Sequence, residues 1–418
     1  MIYLDNAATT LQKPNCVALA VLDAMRTLGN SGRGLNQASH AAGSLVYEAR
    51  CVLTDFFGGS DPSRLVFTAN ATEALNIAIK GLLKPGDHAI TTELDHNSVL
   101  RPLYELERQG LQLSIAEADA TGNVNAAGIE ALIRPETRAI VMAHASNLSG
   151  NLTDLKAVSE LAHKHGLLLI ADASQTAGEI PINVSELGID VLCFTGHKGM
   201  LGPQGTGGLY VRPGITIRPL LHGGTGVQSF LKTQPRELPE YLEAGTLNGH
   251  GIAGLKAAAE FLREIGPERI EAHHQTLTKL FYSLVSQSPE IRIYGDFRPE
   301  RSQSCTEHPA PMDGQTEPLN GQAMERYQQP YRPKRRAPIV SLNIGDLDSS
   351  VVGDLLMQEY GIAVRTGAHC APLMHRRFGT EKQGAVRLSF SWFNSEEEVR
   401  KAAAAVLEIA ADTAQGKL

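Results

Sequence analysis

Short apolar runs alternate with segments of helical periodicity along the first half of the chain, and most runs stop on small or polar residues. Residues 15–28 and 42–57 repeat their apolar positions at helical spacing, the second segment closing on Gly58-Gly59. A short β pattern over 64–68 passes through Asn70-Ala71-Thr72-Glu73 into an apolar helix over 74–83. Strands follow at 88–92, 139–144, 167–171 and 191–194. Alternation of this kind predicts an α/β protein with a doubly wound, mostly parallel sheet. Residues 205–211 read as one more strand, antiparallel because only a short glycine-rich turn precedes it.

Past residue 250 the pattern changes. Long helices are predicted over 252–265 and 267–287, the second crossing to a smaller C-terminal domain. Strands at 291–294, 339–344, 362–365 and 386–391 and helices at 350–360 and 395–409 complete the chain. The expected division is a large domain over 12–255 and a smaller one built from 1–11 and 256–418. Within the latter, residues 297–336 hold six prolines and few aliphatic side chains, too few to offset the entropy of ordering. They read as a flexible insertion, a solvated loop or else a docking segment whose basic end, Arg332-Pro333-Lys334-Arg335-Arg336, could steer an acidic partner.

Composition narrows the class. Hydrophobic residues make up 42% and charged residues 20%, as in ordinary soluble globular proteins, and 418 residues suffice for two domains. A formal charge of −7 argues against a nucleic-acid partner. No apolar run approaches the ~20 residues of a membrane span, and the start, Met1-Ile2-Tyr3-Leu4-Asp5-Asn6, lacks the basic and apolar regions of a signal peptide. Five scattered cysteines make no disulfide framework, so a reducing cytoplasm is expected, and no Cys/His cluster suggests a metal.

The candidate chemistry lies at strand ends. The apolar run Ile189 to Phe194 ends in Thr195-Gly196-His197-Lys198, and the preceding strand ends at Asp172. Two parallel strands joined by a crossover would bring Asp172 and Lys198 together at the carboxyl edge of the sheet, where open α/β folds bind ligands. A lysine facing an aspartate suits pyridoxal 5'-phosphate: the amine forms a Schiff base with the aldehyde and the carboxylate holds the pyridine nitrogen protonated. Thr72, His96, Asn147, Asp172 with Gln175, and His197 with Lys198 fall at corresponding strand ends, which argues for a single cleft. His96 can stack on a cofactor ring and move protons; Asn147 and Gln175 can donate to its phenolate oxygen. The turn at Ala71-Thr72, opening a helix, together with Thr195 and His197, can donate to phosphate. Taken singly, Thr72 reads first as a helix N-cap, His96 as a surface or structural histidine and Asn147 as a turn residue; they gain weight only as a set. In the loop Arg365-Thr366-Gly367-Ala368-His369-Cys370-Ala371-Pro372, a cysteine beside arginine and histidine sits where the thiolate is favoured. Arg387, on an apolar strand, can take an α-carboxylate bidentately or serve in a structural ion pair.

Tyr3-Leu4-Asp5-Asn6-Ala7-Ala8-Thr9-Thr10, Ala71-Thr72-Glu73-Ala74-Leu75-Asn76, Asp172-Ala173-Ser174-Gln175, Thr195-Gly196-His197-Lys198 and Glu243-Ala244-Gly245-Thr246 together resemble the class V aminotransferase family, and more narrowly its cysteine desulfurase branch. The resemblance implies fold type I of the pyridoxal phosphate enzymes, Lys198 as Schiff-base lysine, Asp172 on the ring nitrogen and His96 stacked on the ring. It implies a homodimer in which Thr246 reaches the neighbouring subunit's phosphate. The Cys370 loop resembles the Arg-x-Gly-x-His-Cys-Ala signature of the second desulfurase group, departing from it at Pro372. By that likeness Cys370 accepts sulfur from L-cysteine as a persulfide, and Arg387, with Asn147 and Arg365, contacts the substrate. The expected activity is conversion of L-cysteine to L-alanine, feeding sulfur to an acceptor protein and iron–sulfur cluster metabolism. Selenocysteine lyase, cysteine sulfinate desulfinase and, more distantly, an aminotransferase are the alternatives.

Overall fold

The computed structural model describes residues 1–30, 36–298 and 334–417. Its strands are β1 Ile2–Tyr3, β2 Leu65–Thr68, β3 His88–Thr92, β4 Gln112–Ala116, β5 Thr137–Ala143, β6 Leu168–Asp172, β7 Val191–Thr195 and β8 Gly207–Val211, then β9 Ile291–Tyr294, β10 Ile339–Ile344, β11 Ile362–Ala363, β12 Arg365–Gly367 and β13 Ala385–Ser389.

Seven of these form one sheet in the order β2-β8-β7-β6-β5-β3-β4. β4, β3, β5, β6 and β7 run parallel, while β8 pairs antiparallel with both β7 and β2, as the short turn before it requires. Parallel strands covered on both faces read as continuous apolar runs, and these do. Val191 and Cys193 point into one core with Val141, Ile170 and the helix Ala71–Leu82. Leu192 and Phe194 point into the other with Met142, Leu169 and the helices Gln37–Phe56 and Leu155–Lys164. Edge strand β4 (Gln-Leu-Ser-Ile-Ala) has no such run, which is why the apolar pattern did not reveal it.

A second sheet, β12-β13-β10-β9, is antiparallel throughout and packs against the helices Pro267–Val285, Ser349–Tyr360 and Glu396–Ala414. Its core includes Leu4, Phe281, Leu342, Leu388 and Phe390. The chain start joins this part: β1 pairs parallel with β11, and Leu4 is fully buried.

Three expectations are corrected. The helix expected from 42 begins at Gln37, because the Asn36 side chain accepts from the Ser39 N–H at 2.9 Å. The strand expected over 362–365 is two strands in two sheets, since the chain leaves β1 after Ala363 to pair with β13 from Arg365. The described ends of the segment 297–336 are also part of the fold. The Phe297 ring stacks on Tyr282 with centroids 4.1 Å apart, and the buried Arg336 guanidinium lies 3.4 Å from the Phe297 centroid. Lys334 and Arg298 both pair with Asp296, and Arg335 pairs with Glu271. Of the basic run, therefore, Lys334, Arg335 and Arg336 are engaged in structure rather than free for a partner. The six prolines and Arg332 lie outside the described residues.

Candidate active site

The carboxyl ends of the parallel strands open on one cavity of about 240 Å³. Ala71, Thr72, His96, Asn147, Asp172, Gln175, Thr195, His197 and Lys198 all line it, brought together from five strand ends. The β6–β7 register pairs Asp172 with Cys193, so Lys198 leaves the adjacent strand a few residues beyond Asp172.

Asp172 is buried, and its Oδ1 accepts from the Ser174 N–H at 2.9 Å and hydroxyl at 2.5 Å, leaving Oδ2 for another donor. Burial lowers the Lys198 amine to about 8, against the opposing pull of the Asp172 charge. His96 caps the helix Asn97–Arg108: its Nδ1 accepts from the Ser98 N–H at 3.0 Å, which places the proton of the neutral ring on Nε2. Burial, reinforced by Lys198 and Arg387, keeps that ring below the ordinary histidine range although Asp172 pulls it upward. His197 is lowered to about 4, again mainly by burial, and its Nδ1 lies 3.0 Å from the Thr9 hydroxyl. Its carbonyl accepts from Lys13 Nζ at 2.9 Å and from the Thr10 N–H at 3.1 Å, so the chain start wraps the turn that carries Lys198.

The first turn of the helix Ala71–Leu82 also forms part of the cavity wall. The N-cap is Asn70, whose side chain accepts from the Glu73 N–H; Thr72 instead lies 2.8 Å from the Ser98 hydroxyl. The N–H groups of Ala71 and Thr72 are left for an anion. The Thr195 hydroxyl, buried and without a partner, stands in the same cavity. An orphaned donor beside an open helix N-terminus fits a phosphate, and a lysine with an aspartate fits the aldehyde and ring nitrogen of pyridoxal phosphate. Among the described residues no group of His, Cys, Asp and Glu could hold a metal.

Other candidates are placed differently. The Gln175 amide nitrogen donates to the Ala7 carbonyl at 3.1 Å and that of Asn147 to the His369 carbonyl at 2.6 Å, bonds that anchor both amides in the cavity wall with a second N–H on each. Arg387 is buried and paired with Asp5 at 3.2 Å, and donates to the Asn147 carbonyl at 2.9 Å; its Nε has no partner. Arg365 is exposed, opposite Arg387 on the neighbouring strand, and is not in the cavity wall. Thr246 also stands outside it, after Glu243, which is buried in a two-pronged pair with Arg50 at 2.7 and 2.5 Å. Cys370 is exposed. Sequence reasoning missed Ser98, Ser174 and Asp5. The two serines follow His96 and Asp172 by two positions, a spacing at which a hydroxyl or N–H folds back on the side chain before it.

A site of this kind, on a mostly parallel sheet with a second smaller sheet beside it, places the chain in a recognised class. It belongs to the class-V aminotransferase family, whose model matches residues 2–313 and 317–401. Among its relatives is a protein of Methanothermobacter thermautotrophicus named "probable cysteine desulfurase", 32% identical over 98% of this chain and 94% of that one. Another of that name, from Pyrococcus abyssi, is 31% identical over 96% of this chain and 92% of the other. The solved apo structure of the cysteine desulfurase from Thermococcus onnurineus superposes with a TM-score of 0.83 at 31% identity, covering 98% of this chain and 94% of that chain. The Escherichia coli cysteine desulfurase CsdA superposes at 0.79 with 26% identity, over 97% and 94%.

Proposed function

We propose that this chain is a pyridoxal phosphate-dependent cysteine desulfurase that converts L-cysteine to L-alanine and keeps the sulfur as a persulfide on Cys370. One observation carries the reading. The loop of the exposed Cys370 is hydrogen-bonded to the cavity: the Asn97 N–H, next to His96, donates to the Cys370 carbonyl at 2.9 Å, and Asn147 donates to the His369 carbonyl. An aminotransferase has no need of a thiol there.

When bound, the cofactor supplies an electron sink for the substrate's α-carbon. This chain's residues do the rest. Thr195 and the N–H groups of Ala71 and Thr72 hold the phosphate, and Asp172 Oδ2 holds the ring-nitrogen proton. Lys198, its amine lowered to about 8 so that the neutral form grows in near that pH, is the base for the α-proton. Arg387 brings its charge to the substrate carboxylate through the unpartnered Nε. The Cys370 thiolate attacks the substrate sulfur; the carbon–sulfur bond breaks and its electron pair stays with the carbon skeleton, which takes up a proton at Cβ. The balance is one enzyme thiol plus cysteine giving one enzyme persulfide plus alanine, with no outside oxidant. His96, its proton on Nε2 within the cavity wall, can donate in the return steps.

A second copy of the chain belongs to this reading. Val227, Phe230 and Leu231 are exposed on the segment that leads to Thr246, and Thr246 is outside its own chain's cavity. A dimer would cover the first and bring the second to a neighbouring site. A protein acceptor for the persulfide and a cytoplasmic setting complete the proposal; among the described residues no helix is long and apolar enough to cross a membrane. Assaying alanine and sulfide release from cysteine, with selenocysteine and cysteine sulfinate in parallel, tests it. Preference for either analogue over cysteine would replace the reading by a lyase or desulfinase.

A further inference from the structure

The turn that carries Cys370 has an unusual backbone. His369 and Cys370 both adopt the left-handed conformation, with φ of 51° and 54°. Two successive non-glycine residues hold it only where their surroundings over-determine it. The carbonyls of both are tied down by Asn147 and Asn97. The side chains diverge: Cys370 is exposed, while the His369 ring is buried against His375.

The two imidazoles are nearly parallel, 3° apart, with centroids 5.7 Å apart and His369 Nδ1 3.4 Å from His375 Nε2. His375 Nδ1 lies 2.7 Å from the Thr380 hydroxyl, and His369 Nε2 lies 3.4 Å from the Arg365 carbonyl. Burial holds both rings below the ordinary histidine range, with Arg387 adding to the effect on His369. Both are therefore neutral at pH 7, with one N–H each. With His369 donating from Nε2 to the Arg365 carbonyl, its Nδ1 is left to accept from His375 Nε2–H, while the Thr380 hydroxyl faces both His375 Nδ1 and, at 3.4 Å, the His375 carbonyl. The short helix Pro372–Phe378 that carries His375 is anchored separately, through Arg377 to Glu93 at 2.7 and 3.0 Å.

We propose that His375 is a positioning residue for sulfur transfer: its Nε2–H holds the His369 ring, and the ring holds the left-handed turn that presents the Cys370 thiol. The inference rests on the reading of Cys370 as sulfur acceptor. It separates His375 from residues that bind cofactor or substrate, because His375 is not among the residues lining the cavity and its ring nitrogens face His369 and Thr380.

Two substitutions divide the role. In His375→Gln the amide nitrogen reaches the place of Nε2 and can still donate to His369. In His375→Asn the amide reaches only the place of Nδ1, which keeps Thr380 and loses His369. The cofactor-loaded proteins, with Cys370→Ser as control, are compared for alanine formation, persulfide on Cys370 by mass spectrometry, and KM for cysteine. Hydrogen exchange across residues 366–374 is measured on the cofactor-free proteins. His375→Asn should lose roughly tenfold or more in kcat, the scale of a misplaced reacting group, with KM and cofactor absorbance unchanged and faster exchange in the turn. His375→Gln should restore kcat and exchange towards wild type. A His375→Asn protein with wild-type kcat and exchange would overturn the proposal, as would equal losses in both variants accompanied by a raised KM. Wild-type desulfuration by Cys370→Ser would instead remove the acceptor reading itself.

Discussion

Arg387 and Asp5 stand 382 residues apart in sequence and 3.2 Å apart in the fold, joining the chain start to the last strand of the smaller sheet. The pair is buried on the arginine side, and it uses only Nη2; Nη1 goes to the Asn147 carbonyl, and Nε remains without a partner. On the proposed function the same guanidinium also meets the substrate carboxylate.

Arg387→Ala should therefore raise KM for cysteine, by about 1.5–3 kcal/mol for one charge-assisted contact, or roughly ten- to 150-fold. Asp5→Asn keeps the guanidinium and should change KM far less while lowering the melting temperature. Steady-state kinetics and thermal unfolding of both variants check this. Equal KM in Arg387→Ala and wild type would leave Arg387 a purely structural ion-pair partner.

Lys198 gives a pH dependence whose sign follows from its surroundings. Its folded value, about 8, lies below the ordinary lysine value of 10.5, so folding disfavours the charged amine. This penalty is complete below pH 8 and disappears as the pH climbs through 10.5. The neutral, reactive amine accordingly grows in across pH 8. Cofactor-free protein should capture pyridoxal phosphate with a rate that rises to half its maximum near pH 8, followed by the absorbance of the lysine-linked chromophore. Asp172→Asn should shift that midpoint lower, since the aspartate charge now holds the amine up. Lys198→Ala should give no borohydride-trapped adduct at all. A midpoint near 10.5 in wild type would show that the amine is not desolvated.

Cys370→Ser should retain the chromophore and the spectral response to cysteine yet form no persulfide, because an alcohol is a poor nucleophile towards sulfur. Mass spectrometry of the protein after one turnover decides it. The variant removes only an exposed side chain, so its melting temperature should stay close to that of wild type.

The strands that frame the site were legible because parallel strands buried on both faces advertise themselves as apolar runs. Val191 to Thr195 is the best example, and the lysine after it could be seen for that reason. Strand-end residues such as Asp172 and His96 could be found by position, since chain direction alone puts them at one edge of the sheet. Other features depend on partners distant in sequence. The Asn147 amide could be placed at a strand end from the sequence, but not its bond to His369, which lies 222 residues later. Arg387 could be read as substrate contact or ion pair; the fold shows the ion pair with Asp5 and leaves Nε without a protein partner. The basic run before Ala337 looked solvated by composition, whereas the acids that engage it, Asp296 and Glu271, belong to elements that only the fold brings near.

Those acids reshape what removal of the proline-rich segment should do. Lys334 and Arg298 meet on one carboxylate, Asp296, and the Asn123 amide donates to it as well. These partners hold Asp296 well below the usual carboxylate range, led by the Arg298 hydrogen bonds. An aspartate depressed in this way stabilises the fold above its unfolded value of about 3.9 and loses that contribution as the pH falls through the folded value. The two ends of the segment are therefore closed at Asp296 whatever lies between them. Replacing residues 300–332 by a short glycine-serine linker should leave the melting temperature within a few degrees of wild type at pH 7, because closure entropy varies slowly with loop length. Deletion of 298–335 should be costly instead, since it strips Asp296 and Glu271 of Arg298, Lys334 and Arg335. Asp296→Ala should reproduce much of that loss at pH 7. Thermal unfolding of the three proteins distinguishes the cases: equal melting temperatures for the short and the long deletion would mean that the Asp296 cluster contributes nothing to stability.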